Sequence, residues 1–170
     1  MDARPGPKNG DYGLTQIRGV LGFLVGLGML LLNDGSRFTH AFVVVDAELG
    51  LAVEARPGGA RIVDYRFEYA DRATVFSHMP LTDAQRYAIV LSAEACIGRG
   101  YNWLDYLALA FTHWGIRPKW LRRHAARTDR LICSQLVDSI YLLAGVHLFD
   151  DGRASGDVTP GDLSFIGNCY

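Results

Sequence analysis

The sequence predicts an α+β domain in which an antiparallel sheet packs against helices, and three observations carry that expectation. Between residues 39 and 79, four short runs rich in Val, Ile, Phe and Tyr are punctuated by Gly and Pro, the pattern of consecutive antiparallel strands. Beyond residue 82, apolar residues recur at helical spacing in segments with recognisable ends. The 170-residue length, with 49% hydrophobic and 21% charged residues, suits one core rather than several. A leader over residues 1–9 and a single domain over residues 10–170 are expected.

Residues 11–15 read as a short element behind the leader. An apolar run over 20–32 follows, broken only by Gly22, Gly26 and Gly28. It is shorter than the roughly 20 residues needed to cross a bilayer, so it reads as a packed helix. Its late start, and its end in Asn33-Asp34-Gly35-Ser36, do not fit a signal peptide. With neither a signal peptide nor a transmembrane segment expected, the chain is placed in the cytoplasm or delivered by another route, such as a virion.

Strands are expected over 39–47, 51–55, 60–65 and 73–79, arranged as a compact meander. Thr82-Asp83-Ala84-Gln85 is a capping-box pattern that opens a helix. Ala84, Ala88, Leu91 and Ala95 continue it at helical spacing until Gly98 and Gly100 stop it. A second helix is expected over 103–113 and a third over 133–144, where Leu136, Ile140, Leu143 and Ala144 share a face and Gly145 supplies the stop. The chain beyond that point reads as turns.

The segment between those two helices, 115–130, reads as a long loop. It carries Arg117, Lys119, Arg122, Arg123, Arg127 and Arg130, with Trp114 and Trp120 close by. It is either a solvated surface with aromatic anchors or a site for anionic lipid, cell-wall polymer or phosphate. A formal charge of −1 gives the whole surface no basic character, and no nucleic-acid partner is expected. Cys96, Cys133 and Cys169 are too few for a disulfide framework. No Cys-x-x-Cys pair or histidine cluster has metal-site spacing, so neither metal nor cofactor is expected.

Cys133 carries the chemistry. A lone buried cysteine is ordinarily a small apolar residue. One in the first turn of a helix, however, feels the positive end of the peptide dipoles, which favours thiolate over a free thiol of pKa about 8.5. A nucleophile needs a base, and the base a group to orient it. Five histidines are available, and composition does not choose among His40, His78, His113, His124 and His147. His40 is favoured because its strand interior, Phe42 to Val45, would hold an imidazole rigidly. On the next strand Glu54 can share a face with His40 if the register is even. Asp46, in a turn, is the weaker rival. Neither Cys96 nor Cys169 has an obvious base in the sequence, and both are expected to be structural.

These residues occur in a telling order: Gly10-Asp11, a helix, Thr39-His40 opening a strand, Glu54 on the next, and Cys133-Ser134-x-Leu136 heading a late helix. Gly100-Tyr101-Asn102-Trp103, Leu143-Ala144-Gly145-Val146 and Thr159-Pro160-Gly161-Asp162-Leu163 extend the pattern over most of residues 10–165. The chain resembles the circularly permuted NlpC-like (YiiX-like) group of papain-like cysteine hydrolases, related to lecithin:retinol acyltransferase-like proteins. In that group, as here, the histidine precedes the cysteine. The resemblance implies a papain-like fold with Cys133 as nucleophile, His40 as general base and Glu54 as the residue orienting it. The chain departs from the pattern at Gln135, where the family often has an acid, and in using Glu54 where acyltransferase-like members commonly use a second histidine.

The expected function is a cysteine hydrolase that cleaves amide bonds through a thioester, acting on peptidoglycan stem peptides. One alternative is a lipid acyl hydrolase or acyltransferase working at a membrane surface, which would use the apolar run and the basic loop. Another is a non-enzymatic structural or assembly protein, for example in a virion. The corresponding partner is a peptidoglycan peptide or an acyl lipid.

Overall fold

The computed structural model of the chain describes residues 6–17, 36–56, 59–98, 133–167 and 169. Five strands form one antiparallel sheet: β1 (Tyr12–Thr15), β2 (His40–Asp46), β3 (Leu51–Arg56), β4 (Gly59–Asp64) and β5 (Val75–Phe76), in the order β4-β3-β2-β1-β5. The helices are α1 (Tyr65–Glu68), α2 (Asp83–Glu94), α3 (Cys133–Leu143) and α4 (Pro160–Ile166), with a 3-10 turn at Ser155–Asp157. The α+β class with an antiparallel sheet is as expected. Strands β1 to β4 form a meander, but β5 does not continue it. It returns to the far side and pairs with β1, Gly13 opposite Phe76.

Alternation along the strands divides the sheet into two faces. Ala41, Val43, Val45, Val53 and Ala55 point into the main core with Ile89 and Ala93 of α2 and Leu136, Val137, Ile140 and Tyr141 of α3. Phe42, Val44, Ala52 and Val63 point the other way, into a smaller cluster closed by Tyr65 and Tyr69. The buried stripe on α3 has the spacing that lays one helix face on a sheet. Gly145 ends this helix at φ 75°, a conformation that side chains other than glycine's resist. Val146 N–H then donates to Tyr141 O at 2.9 Å, as a Schellman stop requires.

Phe42 stacks on Tyr65 and Tyr69, at 5.7 and 5.3 Å between ring centres. Its ring passes directly over Gly13, where a Cβ would lie 2.2 Å from Phe42 Cζ. A Gly13→Val substitution is therefore expected to push the ring aside and cost about 1–3 kcal/mol of stability, read by urea unfolding.

Two helices arise where the sequence reads otherwise. Tyr65, expected to end a strand, opens α1 because the Asp64 carboxylate caps the N–H groups of Arg66 and Phe67. The region beyond residue 146, expected as turns, carries α4. Its capping box joins Thr159 and Asp162, and Pro160 takes the first turn, where its missing N–H costs nothing. The capping box at Thr82 and Gln85 forms as expected. The expected helices over 20–32 and 103–113, and the basic loop over 115–130, lie outside the described residues. Among the described residues, no helix is long and apolar enough to cross a membrane.

The Gly10-Asp11 pair is a clasp. Asp11, 1% exposed, holds Arg86 of α2 at 2.9 Å and accepts from the Lys8 N–H, while Gly10 O accepts from the Tyr141 hydroxyl of α3 at 2.5 Å. Tyr12, the next residue and the first of β1, donates to Leu163 O of α4 at 2.6 Å. One short stretch of chain thereby ties three helices to the sheet.

Candidate active site

His40 is the first residue of β2 and is fully buried. Glu54, also fully buried, lies opposite Phe42 rather than His40. The register is therefore even, as a shared face requires, but the two side chains meet along the diagonal. His40 Nε2 is 2.6 Å from Glu54 Oε2. Cys133, 2% exposed, opens α3, and its thiol lies close enough to the His40 ring to favour the charged imidazole. Nε2 is committed to Glu54, whereas the buried Nδ1 has no hydrogen-bond partner among the described residues, so Nδ1 is the ring atom free to take a proton from a neighbouring thiol. The position of His40 at the end of its strand explains how it meets a helix that packs on the other face of the sheet.

Glu54 is held on both oxygens. Arg61 of β4 donates to Oε1 through Nε and Nη2 at 3.0 and 2.8 Å. Arg56 Nε lies 3.0 Å from the same oxygen as an ion pair without hydrogen-bond geometry. Oε2 receives the Tyr69 hydroxyl as well as His40. Tyr69 in turn accepts from Arg56 Nη2 at 3.2 Å, and its ring lies 5.9 Å from that of His40. Glu68 completes the group, 3.1 Å from Arg56. Sequence reasoning identified neither arginine nor Tyr69. Arg56 and Arg61 stand at positions that alternation places on the Glu54 face, a signal present in the sequence, whereas Tyr69 follows a short helix that sequence reasoning did not find.

The electrostatics follow from this packing. Burial opposes charge on Glu54, but the hydrogen bonds from His40 and Tyr69 and the arginine charge outweigh it and hold the carboxyl down at about 2. Burial likewise opposes charge on His40, and the Cys133 thiol beside the ring and the hydrogen bond to Glu54 override it, raising the imidazole to about 9. The stability contributed by Glu54 is present above its ordinary value of 4.5 and is lost as pH falls toward 2. The contribution of His40 is complete below 6.5 and is lost as pH rises through 9. Thermal melts across the pH range are therefore expected to show greatest stability between about pH 4.5 and 6.5, with a decline on each side.

The other candidates lie elsewhere. Asp46 Oδ1 accepts from Leu49 N–H at 2.8 Å, closing the β2–β3 turn at the opposite end of the strand from His40. Cys169 packs against Tyr12, and burial pushes its thiol up to about 11, the reverse of activation. Cys96 is buried in the main core. His78 donates its backbone N–H to Gly167 O, and His147 lines a small cleft beside Asp138 and Ser155. His113 and His124 lie outside the described residues. Among the described residues the cysteines form no disulfide, and no group of three or more His, Cys, Asp or Glu could hold a metal ion.

Chemically, the arrangement is a thiol at the first turn of a helix beside an imidazole whose Nε2 rests on a fixed carboxylate. Such a series can present a thiolate beside an imidazolium able to return a proton. No protein-family model matches the chain, and no curated protein matches it.

Proposed function

We propose that the chain is a cysteine hydrolase that cleaves amide bonds through a thioester. The observation that carries this reading is the buried His40–Glu54 hydrogen bond with the Cys133 thiol beside the imidazole. The Cys133 sulfur attacks the carbonyl carbon, and the proton held on His40 passes to the leaving amine as the C–N bond breaks. Water, giving its proton back to His40, then splits the thioester to the acid and the free thiol. Backbone N–H groups of the first turn of α3 are the natural donors to the oxyanion.

The likeness to permuted NlpC-like hydrolases supports peptidoglycan stem peptides as substrate. Stem peptides lie outside the cytoplasm, so this activity goes with delivery of the chain to the wall, for example by a virion. The test incubates the purified protein and its Cys133→Ser variant with peptidoglycan fragments and with fatty-acyl phospholipids, and reads the products by mass spectrometry. New stem-peptide fragments from the unaltered protein alone are expected. Released or transferred acyl chains would replace the peptide substrate with a lipid one. No product in either arm, with an unreactive Cys133, would return the chain to a structural role.

A cheaper measurement addresses the thiol itself. Iodoacetamide near neutral pH is expected to label Cys133 ahead of Cys96 and Cys169, read by peptide mapping. Faster labelling of either other cysteine would contradict the activated thiol.

A further inference from the structure

Among the described residues, Glu54 Oε2 has two donors, His40 Nε2 and the Tyr69 hydroxyl. A carboxylate held only through Oε1 could pivot about that contact and carry Oε2 away from the imidazole. The Tyr69 hydroxyl closes that freedom, and it is itself fixed. Its ring stacks on Phe42 at 5.3 Å, its oxygen accepts from Arg56 Nη2 at 3.2 Å, and the residue is 3% exposed.

Arg56 and Arg61 are differently placed. Both act on Oε1, their side chains are 21% and 52% exposed, and both also lie near Glu68. They supply charge at a partly solvated edge, where its effect is screened. Among the described residues, the groups facing the His40–Glu54 pair are Cys133 from α3, Arg56 from β3, Arg61 from β4, Glu68 from α1 and Tyr69 just beyond it. Of these, only Tyr69 shares the oxygen that His40 uses.

We propose that Tyr69 is a positioning residue of the site: its hydroxyl locks Glu54 Oε2 in line with His40 Nε2, and through that pair sets the imidazole that faces Cys133. The proposal rests on the cysteine-hydrolase reading, and it concerns the hydroxyl rather than the ring. The Tyr69 hydroxyl bonds Glu54 and Arg56 and so acts on the imidazole through Glu54.

The test compares the full chain with Tyr69→Phe, Glu54→Gln and Cys133→Ser, following the pH dependence of iodoacetamide labelling at Cys133, the thermal midpoint, and the proton resonance of the His40 Nε2–H. Phenylalanine keeps the ring against Phe42 and His40, so the thermal midpoint should stay within a few degrees. A loosened Glu54 stabilises the imidazolium less, and the thiolate then forms only at higher pH. For Tyr69→Phe, the acid limb of labelling is therefore expected to move to higher pH, by less than in Glu54→Gln. Labelling near neutrality should fall about tenfold, in line with loss of a hydrogen bond to a charged group. The Nε2–H resonance, sharp and far downfield in the unaltered protein, should broaden or move upfield.

An unchanged limb and resonance in Tyr69→Phe, with Cys133 reactive in the unaltered protein, would overturn the positioning role and leave the hydrolase reading standing. A limb moved to lower pH would also overturn it, since the hydroxyl would then be weakening the pair. A Cys133 that labels no faster than an unfolded thiol in the unaltered protein would overturn both.

Discussion

Replacing Glu54 with alanine is expected to remove about 3–5 kcal/mol of unfolding free energy, because it breaks a buried ion pair and leaves its partners without compensation. Glu54 is fully buried and receives His40, Tyr69 and Arg61 on its two oxygens, with Arg56 alongside. Arg61 is half exposed and can return to water. The His40 Nε2–H and the Tyr69 O–H are buried and cannot, so each is left as an unpaired donor. Urea unfolding near pH 6 reads the loss. Glu54→Gln should lose less, since its amide oxygen still accepts from Arg61 while its amide nitrogen meets a donor. A loss below about 1 kcal/mol for alanine would show that the carboxylate does not hold the site together.

Cys133→Ala is expected to have the largest effect on turnover, lowering kcat/KM for the amide substrate by about 10⁴-fold or more. It removes one sulfur from a buried position and should cost only about 1 kcal/mol of stability. His40→Ala should fall by a comparable factor, and the double variant should be scarcely worse than either single one, because residues that act as a unit do not contribute additively. His40→Ala has a second signature. Without the imidazole, the decline in stability as pH rises through 9 should disappear. Independent, multiplicative losses in the two single variants would separate the thiol from the ring.

Much of this arrangement is legible in the sequence, for reasons that can be named. Strands β2, β3 and β4 fall within two residues of their expected bounds because runs of Val, Ile, Phe and Tyr punctuated by Gly and Pro are a local pattern, and both the Thr82 capping box and the Gly145 stop are spelled by adjacent residues. The His40–Glu54 pair is legible because a hairpin fixes face and register over only 14 residues. The place of β5 beside β1 is not, since a two-residue strand leaves no periodicity and its partner lies some sixty residues away. Tyr69 was hidden behind Asp64, whose capping turns an apparent strand end into α1 and so aims the following residues back at Glu54. The helix at Pro160 was missed because Pro160 and Gly161 read as turn residues, although Thr159 and Asp162 spell its cap.

The separation in sequence between the hairpin and Cys133 bears on how the chain matures. During synthesis β2, β3 and Tyr69 emerge together, and the imidazole can find its carboxylate while the cysteine is still to be made. At about 5–20 residues per second, the ribosome takes several seconds more to deliver α3. The clasp at Gly10 and Tyr12 must then wait for Tyr141 and Leu163 before it can close. On the cysteine-hydrolase reading, a nascent or truncated chain would thus carry the base without the nucleophile, and Cys133 would become reactive only when the helices dock. Reactivity toward alkylating agents would then report completed folding, and ribosome-bound intermediates would be spared a thiolate able to attack them or their neighbours.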